Sequence, residues 1–259
     1  MLGAIAGDVI GSPYEFDSIK TTSFPLFGPR SEFTDDTVLT CAVAETLLDG
    51  GDYATAFRRW GRRYPNVGWG GRFRRWLFDD TAGPYRSYGN GSAMRVGPVG
   101  WACATVEDVL AEAERTALPT HDHPEGSKGA QATALAVFLA RTGAGKEAIR
   151  EEIAGRFGYD LGRTVDSIRP TYGFDETCQR TVPEALVAFL DSTGFEHALR
   201  LAVSLGGDSD TLACITGSVA EAFYGGVPAG IAEETRRRLS PDLLGIVDRF
   251  AARFGKHDR

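Results

Sequence analysis

Apolar residues recur at three- and four-residue intervals along most of this chain, and that periodicity restricts it to helices. Val38, Leu39, Ala42, Val43 and Leu47 mark one stripe; Val106, Val109, Leu110, Ala113 and Ala117 mark a second. Ala134, Val137 and Phe138 extend the pattern, followed by Ile149, Ile153 and Phe157. Ala185, Leu186, Phe189 and Leu190, then Phe195, Ala198, Leu199, Ala202 and Val203, carry it towards the C-terminus. Alternating strand patterns bounded by hairpin turns are nearly absent. The expected fold is all-α, a compact multi-helix bundle. Helix starts are predicted at two capping boxes, Thr181-Val-Pro-Glu184 and Thr193-Gly-Phe-Glu196, and at Ser240-Pro241. Gly3, Gly7 and Gly11 lie four apart, so the first helix can pack closely against a neighbour.

The 259 residues are 42% hydrophobic, enough for a substantial core without a disulfide or structural metal. Loops are expected at 12–33, 64–71, 79–101, 119–128 and 158–180. None has the composition of a flexible linker, so 1–259 reads as one domain. The net charge of −7 opposes broad non-specific binding to nucleic acid. Cys41, Cys103, Cys178 and Cys214 are too scattered for a zinc site, and Cys41 and Cys214 fall in apolar stripes as core residues. The N-terminal apolar run lacks a basic lead and is broken by Asp8, so it does not read as a signal peptide. No uncharged stretch is long enough to span a membrane. A cytoplasmic, reduced monomer is the expectation.

Chemistry concentrates in two acidic clusters far apart in sequence, Thr34-Asp35-Asp36-Thr37 and Gly206-Gly207-Asp208-Ser209-Asp210-Thr211. Each sits at a predicted helix start. Thr and Asp there have an ordinary use, since they satisfy free backbone N–H groups and the helix dipole. They also form an all-oxygen donor set of the kind that hard divalent cations take. Asp208 and Asp210 are spaced so that a turn can aim both carboxylates at one point, and Gly206-Gly207 permits that turn. Two such sets brought together would hold two metals. Other all-α metal enzymes fit poorly: Asp35-Asp36 lacks the third acid of a terpene-synthase motif, and no histidine precedes the His121-Asp122 pair.

Five ordered segments give the chain a family resemblance. Gly7-Asp8-Val-Ile-Gly11-Ser-Pro-Tyr-Glu15 comes first, followed by Thr34-Asp35-Asp36-Thr37. Ser87-Tyr88-Gly89-Asn90-Gly91-Ser92-Ala93-Met94-Arg95 and Thr120-His121-Asp122-His123-Pro124 come next, and Gly206 to Thr211 closes the series. In this order they resemble the motifs of the ADP-ribosylglycohydrolases, and together they are far more specific than any one alone.

The resemblance implies an orthogonal helical bundle with a central two-metal cleft for Mg²⁺ or Mn²⁺. It assigns Thr34, Asp35, Asp36, Asp208, Asp210 and Thr211 as ligands. It also implies hydrolysis of the N- or O-glycosidic bond between C1″ of the distal ribose and a modified protein, nucleic acid or small molecule. Glu15 is the expected acid/base residue, with Asp36 as ligand and proton-transfer partner. Ser87, Tyr88, Gly89, Asn90, Gly91, Ser92 and Met94 form the expected ADP-ribose loop, and His121 is a further contact. A non-catalytic ADP-ribose binder or structural relative is the alternative; the complete acid set favours the enzyme.

One feature lies outside these motifs. Arg58, Arg59, Arg62, Arg63, Arg72, Arg74 and Arg75 alternate with Trp60, Tyr64, Trp69, Phe73 and Trp76. Such a patch can dock a macromolecular acceptor. It can equally be two amphipathic helices whose Arg stems cover apolar surface.

Overall fold

In the computed structural model, which describes residues 1–255, helices account for all the regular structure and no strand forms among the described residues. In chain order they are α1 (Leu2–Gly11), α2 (Asp35–Asp49), α3 (Tyr53–Arg63), α4 (Gly71–Phe78) and α5 (Gly91–Met94). Next come α6 (Gly97–Ala102), α7 (Val106–Ala117), α8 (Pro124–Arg141), α9 (Lys146–Phe157) and α10 (Val165–Ile168). The chain then forms α11 (Cys178–Asp191), α12 (Phe195–Ser204), α13 (Ser209–Tyr224), α14 (Ala229–Arg237) and α15 (Pro241–Phe254). A 3₁₀ turn, Ser12–Tyr14, follows α1. The all-α expectation holds. The segments 79–101 and 158–180, expected as loops, contain the short helices α5, α6 and α10.

The central element is α13, packed by α1, α8, α11 and α12. It is apolar or small on all sides, as a helix without a solvent face must be. Two of its buried hydroxyls bond to backbone carbonyls: Thr216 donates to Ala185 O of α11 at 2.9 Å and Ser218 to Cys214 O of its own helix at 3.0 Å. The glycine stripe of α1 faces α13. A Cβ on Gly3, Gly7 or Gly11 would lie 2.3, 2.0 or 2.4 Å from the carbonyl oxygen of Gly217, Ala213 or Ser209. Backbone therefore packs directly on backbone over three turns.

Two predicted helix starts move. Thr181 lies inside α11, which begins at Cys178 and carries Pro183 within it. The start is drawn upstream by an isolated bridge between Gly89 and Thr177, where Asn90 N donates to Glu176 O at 2.7 Å and Cys178 N to Tyr88 O at 2.9 Å. Glu184, the other half of the expected box, instead pairs with Arg163 at 2.7 Å. Helix α12 begins at Phe195 with Gly194 as its cap, and the Thr193 backbone N–H donates to His197 Nδ1. Ser240 does hold the N-cap position of α15, with Pro241 in the first turn, although its hydroxyl donates to Asp242 and caps no backbone N–H.

Candidate metal centre and ligand cleft

The two acidic clusters meet. Helix α2 starts at Thr34, whose hydroxyl accepts from Asp36 N at 3.3 Å, so the capping use of this motif is real. A second cap comes from another helix. Asp8, fully buried on α1, accepts from Thr34 N at 3.0 Å, Thr34 Oγ1 at 2.8 Å and Thr37 N at 3.1 Å, and also from Thr37 Oγ1. A carboxylate of α1 thus satisfies orphan N–H groups of α2 and fixes where Asp35 and Asp36 point. Asp8 was absent from the expected site, although one acid in an otherwise apolar helix signals a paired, buried role.

Asp208 and Asp210 emerge at the start of α13 after a turn in which Gly206 takes φ +65°. A Cβ there would meet Ile19 O at 2.8 Å. Asp208 makes no capping bond, and its Oδ2 accepts from Asn90 Nδ2 at 2.7 Å. Thr211 Oγ1 donates to Asp36 Oδ2 at 3.4 Å, joining the second cluster to the first. Glu15, just beyond the 3₁₀ turn, completes the group: oxygens of Glu15, Asp208 and Asp210 all lie within 4.8 Å of one another.

Among the described residues no ion pair forms to Asp8, Glu15, Asp35, Asp36, Asp208 or Asp210. Burial is the largest influence on each. It lifts Asp8 and Asp208 to about 6 and Glu15 to about 8, with Asp210 and Asp8 adding repulsion at Glu15. Asp35, Asp36 and Asp210 stand well above the usual carboxylate range, from burial first and then from neighbouring acids: Asp210 at both Asp35 and Asp36, and Asp208 at Asp210. Asp36 Oδ1 is buried with no hydrogen-bond partner. Carboxylates this crowded must take up either protons or cations. The convergent oxygens and the unpartnered Asp36 Oδ1 therefore fit hard divalent cations.

These acids line a cavity of about 260 Å³. Its walls also include Gly68, Gly70, Gly71 and Arg72, and the loop residues Ser87, Gly89, Asn90, Gly91 and Met94. His121 and Glu176 also line it. Glu15, Asp35, Asp36, Asp208, Asp210 and Thr211 all face it, as six of the eight expected ADP-ribose-loop and His121 positions do.

Three expected site residues do not line the cavity. Thr34 is occupied in the cap. Tyr88 is 45% exposed, with its ring 5.3 Å from His123. Ser92 is fully buried and donates to Gly126 O at 2.7 Å, bracing the loop from behind. The Asn90 side chain is likewise spent inside the protein, donating to Asp208 and, at 3.1 Å, to Thr181. It ties the ligand loop to the second acidic cluster.

The loops 12–33 and 158–180 meet through a pair of aromatic rings. Exposed Phe16 and Phe174 stack with centroids 5.8 Å apart. Beneath them Lys20 donates to Tyr172 O at 2.5 Å and to Leu205 O, just ahead of the Gly206 turn. Sequence reasoning gave no sign of this lysine.

The Arg/aromatic patch is largely structural. Arg58 stacks 3.9 Å over Trp76, and Arg62 donates to Leu77 O at 2.8 Å. Arg59 pairs with Glu45, and Arg63 with Asp242. Arg72 stands apart, stacking over Tyr85 at 4.9 Å beside the cleft. No helix among the described residues is long and apolar enough to cross a membrane.

Known proteins place this arrangement. The family model described as ADP-ribosylglycohydrolase matches residues 1–259. ADP-ribosylhydrolase ARH3 of Bos taurus is 29% identical, covering 87% of this chain and 84% of its own. ADP-ribosylarginine hydrolase Tri1 of Pseudomonas putida is also 29% identical, covering 87% of this chain and 69% of its own. A solved structure titled ADP-ribosylglycohydrolase-related protein complex superposes with a TM-score of 0.73 at 29% identity, covering 97% of this chain and 96% of that one. With the acidic clusters joined in a glycine-walled cleft and the match running the length of the chain, this protein belongs to the ADP-ribosylglycohydrolase family.

Proposed function

We propose that this protein, acting as one unit over residues 1–259, hydrolyses the bond between C1″ of the distal ribose of ADP-ribose and a modified acceptor, reversing ADP-ribosylation. The observation that carries this reading is the convergence of Glu15 with both acidic clusters in one cleft, with the Gly89–Gly91 loop tied to them through Asn90 and Asp208. Hydrolase relatives named for ADP-ribosylated substrates support it.

Asp35 and Asp36, with Asp208, Asp210 and Thr211, would hold two divalent cations, Mg²⁺ or Mn²⁺, while Thr34 stays in its cap. When bound, these would orient the ribose hydroxyls and polarise the oxygens around C1″. Asp8 holds the first ligand set in place through its cap on α2, and Asn90 holds Asp208. Glu15 stands half-buried beside these acids, its carboxyl pushed up to about 8 in the metal-free protein by burial and then by Asp210 and Asp8, and is the group placed to exchange protons with water and the departing acceptor. The bond breaks through an oxocarbenium-like state that nearby carboxylates stabilise. Asp36, with one oxygen buried and free, is the second proton-transfer candidate. The small residues Gly89 and Gly91 let a diphosphate approach the backbone N–H groups of the loop.

The acceptor is a modified protein, nucleic acid or small molecule. Arginine- and serine-linked ADP-ribosyl peptides, and an ADP-ribosylated oligonucleotide, should be incubated with the protein and Mg²⁺ and the release of free ADP-ribose followed. Release from at least one linkage, lost on chelation, is expected. No release from any of them by folded, metal-loaded protein would overturn the hydrolase reading in favour of a binder.

A further inference from the structure

Arg95 and Thr120 are both fully buried, and Arg95 also lines the cleft. Arg95 Nη2 donates to Thr116 O at 2.8 Å and to Thr120 Oγ1 at 3.1 Å. Thr120 Oγ1 lies 2.7 Å from His121 Nδ1. A guanidinium carries only donors, so the bond from Arg95 to Thr120 Oγ1 fixes Thr120 as an acceptor. Thr120 still has its own proton to place. His121 Nδ1 is the one acceptor within its reach, and a buried hydroxyl proton with no acceptor is costly. Thr120 therefore donates to Nδ1, which must be unprotonated.

The other ring nitrogen faces the Gly89–Gly91 loop. A Cβ on Gly91 would lie 3.2 Å from His121 Nε2, and one on Gly89 3.7 Å from it. Among the described residues no group accepts from Nε2. Burial, and then the charges of Arg95 and Arg72, hold His121 well below its ordinary range, so the ring is neutral. A neutral ring with Nδ1 unprotonated carries its proton on Nε2.

We infer that Arg95 and Thr120 are positioning residues forming a one-way hydrogen-bond relay that fixes His121 as the Nε2–H tautomer and aims that donor across the Gly89–Gly91 loop at an anionic oxygen of the bound ligand. The ligand's identity rests on the functional reading above, whereas the tautomer does not. With the ring pre-set, binding needs no tautomer change, and the imidazole contributes a directed donor without a buried extra charge.

The test is nitrogen NMR of ¹⁵N-histidine-labelled protein, with His121 assigned among the chain's four histidines by its loss in His121→Asn. The wild type should show Nε2 protonated and Nδ1 as acceptor across neutral pH. Thr120→Ser should keep that signature and wild-type ADP-ribose affinity. Thr120→Val should lose the single fixed tautomer and bind ADP-ribose roughly tenfold more weakly, the worth of about one hydrogen bond. A wild type protonated at Nδ1 would overturn the inference, as would Thr120→Val with an unchanged tautomer and affinity. If Thr120→Val does not fold, the wild-type spectrum and Thr120→Ser still decide. Fixed Nε2–H in a wild type that does not bind ADP-ribose would uphold the relay while overturning the functional reading.

Discussion

Gly11 lies against Asp210 so closely that a Cβ on the glycine would fall 2.6 Å from the Asp210 Cα. The glycine stripe thus does more than pack α1. It brings the helix bearing Asp8, and the turn leading to Glu15, onto the first turn of α13, where Asp208 and Asp210 begin. Gly7→Ala should force the two helices apart, costing roughly 2–3 kcal/mol of stability, and should weaken Mg²⁺ binding. Gly28→Ala, with nothing within 4 Å of the new methyl group, is the control. Chemical denaturation with Mg²⁺ titration checks both. A Gly7→Ala protein with wild-type stability would contradict the backbone contact.

Glu15→Gln should keep ADP-ribose binding and lose most turnover, because the amide cannot exchange a proton with water or the departing acceptor. It should also melt higher than wild type in metal-free buffer at pH 8, since it removes a carboxylate disfavoured first by burial and then by Asp210 and Asp8. Single-turnover kinetics and calorimetry measure the two effects separately. Wild-type turnover in this variant would remove Glu15 from the chemistry.

The raised carboxylates set a pH dependence for the metal-free protein. Glu15 at about 8, and Asp8 and Asp208 at about 6, all lie above their unfolded values, so the folded state holds protons that the unfolded state releases. The stability these groups contribute is full in acid, below the unfolded values. It is lost as pH rises through about 6 and then about 8. Scanning calorimetry should show Tm falling from pH 5 to pH 9, with Mg²⁺ flattening the slope. A metal-free Tm that rises over that interval would contradict the crowding of these acids.

Lys20→Met should loosen the turn before Asp208 by removing the donor to Leu205 O and Tyr172 O, at a cost of roughly 1–3 kcal/mol. Mg²⁺ affinity should fall with it, since the same turn sets Asp208 and Asp210. Isothermal titration with Mg²⁺ measures the loss; wild-type affinity would show that the turn holds without the lysine.

Helix periodicity, the glycine stripe and both acidic clusters were legible in the chain because each is a local pattern with a local physical meaning. What joins them was not. Asp8 capping α2, Asn90 bracing Asp208 and Lys20 holding the Leu205 carbonyl are contacts between distant segments, and no spacing rule reports them. Thr34 shows the limit from the other side: the residue types suited a cap and a metal ligand equally, and the cap is visibly made. The boxes at Thr181 and Thr193 misled because a loop-to-loop bridge at Gly89–Thr177 fixed one helix start, and a glycine cap at Gly194 the other.

Calorimetric titration of ADP-ribose into the Mg²⁺-loaded protein, repeated after chelation, tests the central claim most directly, because ADP-ribose is common to every acceptor linkage. The account predicts binding that is strong with metal and lost or much weakened without it. No binding in either state by folded protein would mean that the joined acidic clusters serve as helix caps and not as a ligand site.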